Sequence, residues 1–307
     1  MDRAIPSRIA RERLRSSLRS MLIAFVGLLM PFCITSCSTL PPTPPPPPES
    51  RWVPKGESWA PRQQGVNGVI IFVHGLFGDA DGTWRLDSKH PSWPELVARD
   101  SDFASDDVYS VGYATSFDRP TFNIEETAQH VLRQLYDSNL FKYDRIYFIS
   151  HSMGGLIVKR LLNILNDRSG TSDLRRVRAV LLISTPSQGA PVAEIARWLS
   201  MDPKLKDLTS ADFNTYLQGL DNDWTRMLRG RNRSHEDYPQ VYCAYETLPT
   251  HHVRIVSRVY ASTSCDEEMY PMLFDHLQIV KPLDVNKDPY FWAKNRVREA
   301  DELLKGR

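Results

Sequence analysis

The chain has 307 residues, of which 41% are hydrophobic and 24% are charged, and its formal net charge is +1 at neutral pH. This composition is typical of globular proteins and provides material for one large or two small domains. A net charge this close to zero gives no electrostatic reason to expect nucleic acid as a partner.

Residues 1–36 have the features of an export signal. Six arginines and two acidic residues among the first twenty positions form a basic leader, and the apolar run Met21–Thr35 follows. That run is too short and too interrupted by proline for a comfortable transmembrane helix, but it suits a signal-peptide core. It ends in ITSC, which resembles the lipobox of bacterial lipoproteins. The resemblance implies a lipid-anchored protein, with Cys37 lipidated and, since Ser38 follows it, the outer membrane facing the periplasm as its location.

Three other interpretations of this segment stay open: an uncleaved anchor helix, an ordinary secretory signal and an organelle presequence. Residues 37–60 are predicted to be a linker, because the proline run within Ser38–Ser50 favours an extended polyproline helix that packs no core. Such a spacer would hold a folded domain, residues 61–307, off a membrane surface. A ligand for a proline-binding domain is the alternative.

The first half of the folded part alternates between short apolar runs and helical patterns. Continuous Val, Ile and Leu runs separated by helices predict a mostly parallel sheet covered on both faces. The predicted strands are Gly68–Gly75, Asp107–Ala114, Arg145–Ser150 and Arg178–Pro186, and the predicted helices are Ile124–Leu140 and Leu156–Leu165.

The second half begins with residues 187–239, a polar and aromatic section too long for a plain connection. We interpret it as a helical cap inserted into one α/β domain. Two further strands are predicted at Gln240–Glu246 and His252–Ser262, and a terminal helix at about Pro289–Leu304. Cys243 and Cys265 are the two cysteines of this domain; they form a disulfide bond in an oxidising compartment, or they are two buried free thiols. The sequence indicates no oligomeric state.

Ser152 is the candidate nucleophile. It lies in SHSMGG, where a predicted strand meets a predicted helix almost without a loop. A nucleophile elbow requires this sharp turn, and small neighbours such as Gly154 and Gly155 leave room for it. Ser150 replaces the usual first glycine of the motif. The alternatives are a turn that carries a serine by chance and an anion-binding loop, although no G-x-G-x-x-G or Walker pattern is present.

The other members of a catalytic triad have one leading candidate each. In α/β hydrolases the histidine follows the last strand, and His276 is the only histidine beyond the last predicted strand. Glu246 ends a predicted strand at the edge of the sheet where the next loop could bring an imidazole. Rival carboxylates, closer to His276 along the chain, are Asp266, Glu267 and Asp275. We expect four other histidines to be surface or packing residues: His151, His235, His251 and His252.

The oxyanion hole is predicted at the end of the first central strand. His74 and Gly75 form a His-Gly turn, after which backbone amides commonly face the oxyanion. The two donors would be the N–H groups of Leu76 and Met153. No H-E-x-x-H or C-x-x-C spacing occurs, so the sequence implies no metal or organic cofactor. Four aromatic residues are candidates for an acyl pocket, with core packing as the alternative: Phe77, Trp84, Trp198 and Trp224.

Several separated motifs occur together from Gly68 to about Pro282: VHGLFGDADGTW, VYSVGYATSF, ISHSMGGLIVKRLL, LLISTPSQGAPVA, YETLPT and DHLQIVKP. In this order they resemble the α/β-hydrolases of the GPI inositol-deacylase-like and serine-active-site-containing group, which is related to lipases. The resemblance implies an α/β-hydrolase fold and a serine hydrolase that acts on esters, often of lipids, with Glu246 as the triad acid.

Three functions are compatible with these residues. The first is a lipid-anchored serine esterase or lipase-like acyl hydrolase with an ester or lipid as substrate. The second is a membrane-tethered interaction protein that keeps the hydrolase fold without turnover, because a fold does not establish a function. The third is an amidase or thioesterase, because the same triad serves all three reactions.

Overall fold

A computed structural model describes residues 49–54, 65–114, 124–168, 172–187, 211–234, 239–250, 252, 255–256, 258, 261 and 264–305. The predicted leader, the lipidation site at Cys37, most of the proline-rich linker and part of the predicted cap lie outside these residues. The strands are β1 (Arg51–Trp52), β2 (Gly68–Val73), β3 (Asp106–Val111), β4 (Arg145–His151), β5 (Val177–Ile183), β6 (Gln240–Glu246) and β7 (Tyr270–Met272). The helices are α1 (Trp93–Arg99), α2 (Ile124–Asp137), α3 (Met153–Asp167), α4 (Ala211–Ser234) and α5 (Tyr290–Lys305).

The seven strands form one sheet in the order β1-β3-β2-β4-β5-β6-β7. Every pairing from β3 to β7 is parallel, and β1 alone pairs antiparallel, with β3. The carboxyl ends of the six parallel strands therefore meet at one edge of the sheet. This mostly parallel sheet confirms the fold class that the sequence predicts.

Both faces of the sheet are buried, which explains why its central strands are apolar without alternation. In β2 all six residues are buried; Val69, Ile71 and Val73 belong to one core layer, and Ile70 and Phe72 to the other. The first layer also contains the apolar faces of α2, α3 and α4. The second contains those of α1 and α5.

Helix α4 lies within the segment predicted to be a cap, and it packs against α3. Its Leu220 and Trp224 are buried in the first core layer, and its Asp221 carboxylate lies 3.0 Å from the Lys159 ammonium of α3, with both side chains buried. Burial lowers the pKa of Lys159 and the nearby carboxylate opposes that shift. This helix is therefore part of the layer that covers the sheet. Residues 188–210 lie outside the described part, so a cap over the site stays a prediction.

A disulfide bond joins Cys243 of β6 to Cys265, with a Cα–Cα distance of 5.9 Å and a sequence separation of 22 residues. The structure thus has the bonded form rather than two free thiols. Because the bond closes a loop of this length in the unfolded chain and lowers its entropy, it contributes about 3 kcal/mol to the free energy of unfolding.

The chain enters the domain through β1, which fastens the end of the linker to the sheet. The Ser50 hydroxyl accepts a hydrogen bond from the Gly112 N–H at 2.8 Å, Trp52 packs edge-on against Tyr109 and Val53 is buried. Strand β1 was not predicted, because two residues are too few for a period to be recognised.

The predicted strand His252–Ser262 is wrong for the residues that the structure describes there. They form turns and bends, apart from one isolated bridge between Ala261 and Pro186. Ile255, Val256 and Ala261 bury their side chains in a small cluster of their own instead of the sheet. The seventh strand is β7, a three-residue segment containing Pro271. None of the helices in the described ranges has both the length and the hydropathy that a bilayer-spanning helix requires.

Candidate active site

Ser152 occupies a tight turn between strand and helix. Strand β4 ends at His151 and α3 begins at Met153, so Ser152 is the single residue between them, with φ 52° and ψ −125°. A residue with a side chain rarely adopts this conformation, so the surrounding structure must hold it. The Ser152 N–H donates to the carbonyl of Ile183 at 2.9 Å, and the Ser152 carbonyl accepts from the Gly155 N–H at 3.0 Å. These two hydrogen bonds stabilise the turn.

The glycines after Ser152 allow close backbone contacts. A β-carbon on Gly154 would lie 2.3 Å from the carbonyl oxygen of Val73, and one on Gly155 would lie 2.0 Å from Thr185 Oγ1. Such distances are impossible, so both positions require glycine. Ser150 is buried and donates from Oγ to the carbonyl of Leu181 at 2.9 Å. The space between β4 and β5 accommodates this small hydroxyl, which explains why serine can replace the first glycine of the elbow.

His276 lies against the candidate nucleophile. Its Nε2 is 3.0 Å from Ser152 Oγ, and both side chains are buried. The turn that carries His276 follows β7, and the His276 N–H donates to Thr250 Oγ1 at 2.9 Å. A hydroxyl and an imidazole at this distance form the hydrogen-bonded pair through which a general base activates a serine.

Glu246 ends β6 on the other side of this imidazole. Its Oε1 lies 3.3 Å from His276 Nδ1, and neither side chain has any solvent exposure. The same oxygen accepts a hydrogen bond from the Val256 N–H, so the carboxylate is held by the loop that follows β6. Ser152, His276 and Glu246 thus form a continuous line at the carboxyl edge of the sheet.

The rival carboxylates contact other groups. Asp266 accepts a hydrogen bond from the Val241 N–H at 2.7 Å, near the amino end of β6 and therefore away from His276. Asp275 accepts from the N–H groups of Leu277 and Gln278. Glu267 forms an ion pair with Arg296. Of these four candidates, Glu246 is the one whose carboxylate faces the imidazole.

The predicted oxyanion donors lie next to the serine. A β-carbon on Gly75 would be 2.8 Å from Ser152 Cβ and 3.4 Å from its Oγ, so the loop backbone passes directly against the serine side chain. Leu76 and Met153 are both buried. Among the described residues, neither of their N–H groups donates to another protein group. Because these two N–H groups lie beside the candidate nucleophile and have no other acceptor, they can donate to an oxyanion that develops there.

The three aromatic candidates for an acyl pocket that the structure describes do not line one pocket. Trp84 and Trp224 are buried in opposite core layers, as the packing alternative predicts. Phe77 is exposed on the loop after β2, with φ 57°. Trp198 lies outside the described residues.

His74 supports the oxyanion loop from within the core. Its Nδ1 lies 2.8 Å from the carbonyl of Gly75, and its ring stacks on Tyr113 with centroids 4.1 Å apart. The Tyr113 hydroxyl donates to the His74 carbonyl. Burial lowers the pKa of the His74 imidazole to about 4, so the ring is neutral at neutral pH.

The free energy of unfolding is expected to fall by about 3 kcal/mol between neutral pH and about pH 4 because of His74 alone. The unfolded chain binds a proton at His74 near the ordinary pKa of 6.5, whereas the native ring remains neutral down to about pH 4. The stability that His74 contributes is thus fully present above its pKa of 6.5 in the unfolded chain, and it is lost as pH falls toward its pKa of about 4 in the folded protein. Urea unfolding across this range measures the loss. His74→Asn should give a flatter profile; an unchanged slope would contradict this account.

His151 is the residue whose role the sequence does not reveal. Its Nε2 lies 2.9 Å from the backbone carbonyl of His276, and the two rings are 4.7 Å apart. Because a carbonyl only accepts, Nε2 must carry the proton and donate it. Burial lowers the pKa of His151 well below its ordinary value, and repulsion from His276 adds to the effect. A neutral His151 therefore fixes the backbone that carries the candidate base.

His151→Phe is expected to lower kcat by about tenfold to a hundredfold, because losing this hydrogen bond loosens His276 by about 1–3 kcal/mol. KM and the melting temperature should change much less, since phenylalanine fills most of the buried volume. His151→Gln is the matched control, because its amide can still donate to the carbonyl and should restore part of kcat. Steady-state kinetics on one activated ester decide; normal kcat in the phenylalanine variant would exclude a positioning role.

Comparison with known proteins gives curated relatives of this chain. Protein SERAC1 from Bos taurus is 27% identical over 272 residues, 79% of this chain and 40% of that protein. Its counterpart from Homo sapiens is 27% identical over 269 residues, 77% of this chain and 39% of that protein. The chain thus spans about two fifths of the length of these curated relatives.

Solved structures and a family profile complete the comparison. The structure of the metagenome-derived lipolytic enzymes LipS and LipT is 13% identical, covers 84% of this chain and 98% of its own, and has a TM-score of 0.49. An inhibited esterase B from Lactobacillus rhamnosis is 14% identical, covers 85% and 89%, and has the same TM-score. Residues 70–289, well over half of the chain, match the alpha/beta hydrolase family. With the sheet order and the elbow, this match shows that the chain belongs to the alpha/beta hydrolase family.

Proposed function

We propose that this protein is a serine hydrolase that cleaves carboxylic esters, with lipid-like acyl esters as its substrates. The observation that carries the proposal is the geometry of three buried side chains. Ser152 Oγ is 3.0 Å from His276 Nε2, and His276 Nδ1 is 3.3 Å from Glu246 Oε1. A serine on a strained turn, a base and an orienting acid in this order are the groups that acyl transfer requires.

Each group has a defined part in the proposed reaction. His276 Nε2 takes the proton of Ser152 Oγ as that oxygen attacks the ester carbonyl, and Glu246 stabilises the imidazolium that forms. The N–H groups of Leu76 and Met153 donate to the tetrahedral oxyanion. His276 then gives its proton to the alkoxide that leaves, and an acyl group remains on Ser152. A water molecule, deprotonated by His276, releases the acid and restores the serine.

The two imidazoles near His276 do not oppose the positive charge that forms on it during the proposed reaction. His74 and His151 both have a lowered pKa and are neutral near neutral pH. An imidazolium that forms at His276 therefore meets the carboxylate of Glu246 without a second cation from these two rings. Low solvent access strengthens that attraction.

The choice of lipid-like esters rests on two features of the sequence. The motifs from VHGLFGDADGTW to DHLQIVKP resemble a group related to lipases, and the basic leader with ITSC favours a protein held at a membrane.

A fluorophosphonate serine probe and a substrate panel test the proposal on the full-length protein in detergent. The wild-type protein should react with the probe and hydrolyse activated acyl esters faster than matched amides and thioesters. No labelling of a correctly folded protein would favour the interaction protein without turnover. Faster cleavage of the thioester or amide at equal chain length would assign the site to one of those classes.

We further propose that Cys37 is lipidated and that the protein is anchored to the outer membrane, facing the periplasm. The disulfide between Cys243 and Cys265 supports export, because such bonds are typical of oxidising compartments. Mass spectrometry of the membrane fraction should find a mature chain that begins at a lipidated Cys37. Cys37→Ser should release or misprocess the chain without changing ester turnover. A mature chain that begins upstream of Cys37, or an unmodified Cys37, would disprove the anchor.

A further inference from the structure

A small cavity lies between the second half of α3 and α4. Its volume is about 180 Å³, well below the roughly 300–1,000 Å³ of pockets for drug-sized ligands. The buried Asn163 of its lining lies eleven residues after Ser152, about 16 Å further along the helix. The cavity is therefore separate from the candidate triad. The described part of its lining consists of one apolar and five polar or charged residues: Asn163, Asn166, Asp167, Asp223, Arg226 and Met227.

Asn163 has a buried amide that the protein does not satisfy. The residue is 3% exposed, yet neither its Oδ1 nor its Nδ2 has a hydrogen-bond partner within the described ranges. Buried amide groups are nearly always hydrogen-bonded, because a buried donor or acceptor without a partner is costly. The amide has one oxygen acceptor and two N–H donors. A ligand that satisfies Asn163 must therefore offer both an N–H or O–H donor and an acceptor.

The charges of the lining favour a cation. Two aspartates and one arginine give its described part a formal charge of −1. Asp223 and Arg226 form an ion pair at 2.9 Å, so their charges compensate each other. The remaining charge is that of Asp167, which is the last residue of α3. The carboxyl end of a helix adds negative potential at this position, which also attracts a cation.

Two arginines on α3 and just after it are near Asp167 but contact other groups. Arg160 forms an ion pair with Glu125. The Arg168 guanidinium lies 6.0 Å from the centroid of the Tyr136 ring. Neither arginine belongs to the described lining of the cavity. The Asp167 carboxylate therefore remains an acceptor for a positively charged donor that enters there.

We propose that this cavity is a binding site for a small protonated amine that also carries a hydroxyl group. The ammonium donates to the Asp167 carboxylate and to Asn163 Oδ1, and the hydroxyl oxygen accepts from Asn163 Nδ2. Such a ligand satisfies both halves of the buried amide and compensates the negative charge at the end of α3. Because both helices line the cavity, the bound amine also joins α4 to α3.

The test titrates ethanolamine into the full-length protein in detergent and follows binding by saturation-transfer NMR. The wild-type protein should bind it with a Kd of about 1 mM, an affinity within reach of a ligand of this size. Two analogues of the same length each lack one group. Propylamine has a methyl group in place of the hydroxyl, and 1-propanol has a methyl group in place of the ammonium. Each should bind at least about tenfold more weakly, because a polar group of the site is left without its partner.

Two variants test the amide and the charge separately. Asn163→Leu keeps the branched shape of the side chain and removes both polar atoms, whereas Asp167→Asn removes a charge at an exposed position. Each should weaken ethanolamine binding about tenfold or more. Asn295→Leu is the matched control, because it lies on α5, which packs on the other face of the sheet, and it should bind like the wild type. Thermal melts identify the folded variants; if Asn163→Leu does not fold, Asp167→Asn decides alone.

Three results would overturn the amine site: unchanged binding in the folded variants, equal binding of propylamine, and no saturable binding by the wild type. The last would leave the cavity to water. Glycerophosphoethanolamine carries the same amine beside a phosphate and should bind more weakly than ethanolamine, because the phosphate would face carboxylates. Tighter binding would assign the site to a phospholipid headgroup and also overturn the proposal. None of these measurements uses ester turnover, so they decide independently of the proposed serine hydrolase function.

Discussion

Ser152→Ala is expected to reduce ester turnover on the order of a millionfold, to the level that binding and the oxyanion donors alone sustain. Alanine removes the oxygen that attacks the ester and leaves His276 with nothing to deprotonate at 3.0 Å. The fold should survive, because the turn is held by backbone hydrogen bonds to Ile183 and Gly155 rather than by the hydroxyl. Hydrolysis of an activated ester and labelling by the serine probe should both be lost.

Ser150→Gly is the matched control for this substitution, two residues away in the same turn. It restores the usual first glycine of the elbow and removes one buried hydrogen bond, from Ser150 Oγ to the carbonyl of Leu181. We expect a loss of about 1 kcal/mol in the free energy of unfolding and turnover within about tenfold of wild type. If Ser152→Ala kept a tenth of the wild-type rate, or if both variants lost activity equally, Ser152 would not be the nucleophile.

Glu246→Gln is expected to lower kcat by about three to four orders of magnitude. In the proposed mechanism the carboxylate, 3.3 Å from Nδ1, would hold the proton of His276 on that nitrogen, so that Nε2 would be free to accept the proton of Ser152. An amide could instead donate to the ring and favour the wrong tautomer. The variant should fold, because the glutamine carbonyl oxygen can still accept from the Val256 N–H. Steady-state kinetics on one activated ester, with thermal melts, measure the effect.

Asp266→Asn and Asp275→Asn are the controls for the acid. Both carboxylates bind backbone N–H groups that the asparagine oxygen can still reach, and neither faces the imidazole. Each variant should retain most of its activity. A folded but inactive Asp266→Asn beside a nearly normal Glu246→Gln would transfer the role of the acid to Asp266.

The elements that the sequence predicts well are those whose pattern alone defines them. The prediction Gln240–Glu246 matches β6, and the helix predicted from about Pro289 to Leu304 is observed as Tyr290–Lys305. Strand β2 and its neighbours differ from their predictions by at most three residues at either end. Apolar runs buried on both faces leave little choice of structure, which explains this agreement.

The region around β7 was not predictable for a physical reason. Residues 252–262 contain three valines, one isoleucine and one tyrosine, which favours a strand, but a loop that covers Glu246 must also bury apolar side chains. Strand β7 has only three residues and one of them is proline, which is tolerated because β7 lies at the edge of the sheet. Local composition does not distinguish an apolar loop from a short edge strand; the tertiary contacts of each segment do.

In the candidate site, too, some contacts could be predicted from the sequence and one could not. Ser152 and His276 each follow a strand and Glu246 ends one. The parallel topology brings such positions to one edge, so their proximity could be expected from the order of elements. His151 acts on the backbone carbonyl of His276, 125 residues away along the chain. A backbone acceptor has no sequence signature, so this contact becomes visible only in three dimensions.

The buried ion pair between Lys159 and Asp221 has a consequence for how sequences of this kind diverge. Removing one partner leaves a buried charge without compensation and costs about 3–5 kcal/mol, while replacing both by well-packed apolar residues is often neutral. Positions 159 and 221 should therefore change together among homologues, or not at all. Such a covariation would tie the evolution of α4, which lies within the segment predicted to be a cap, to that of the helix that follows the candidate nucleophile.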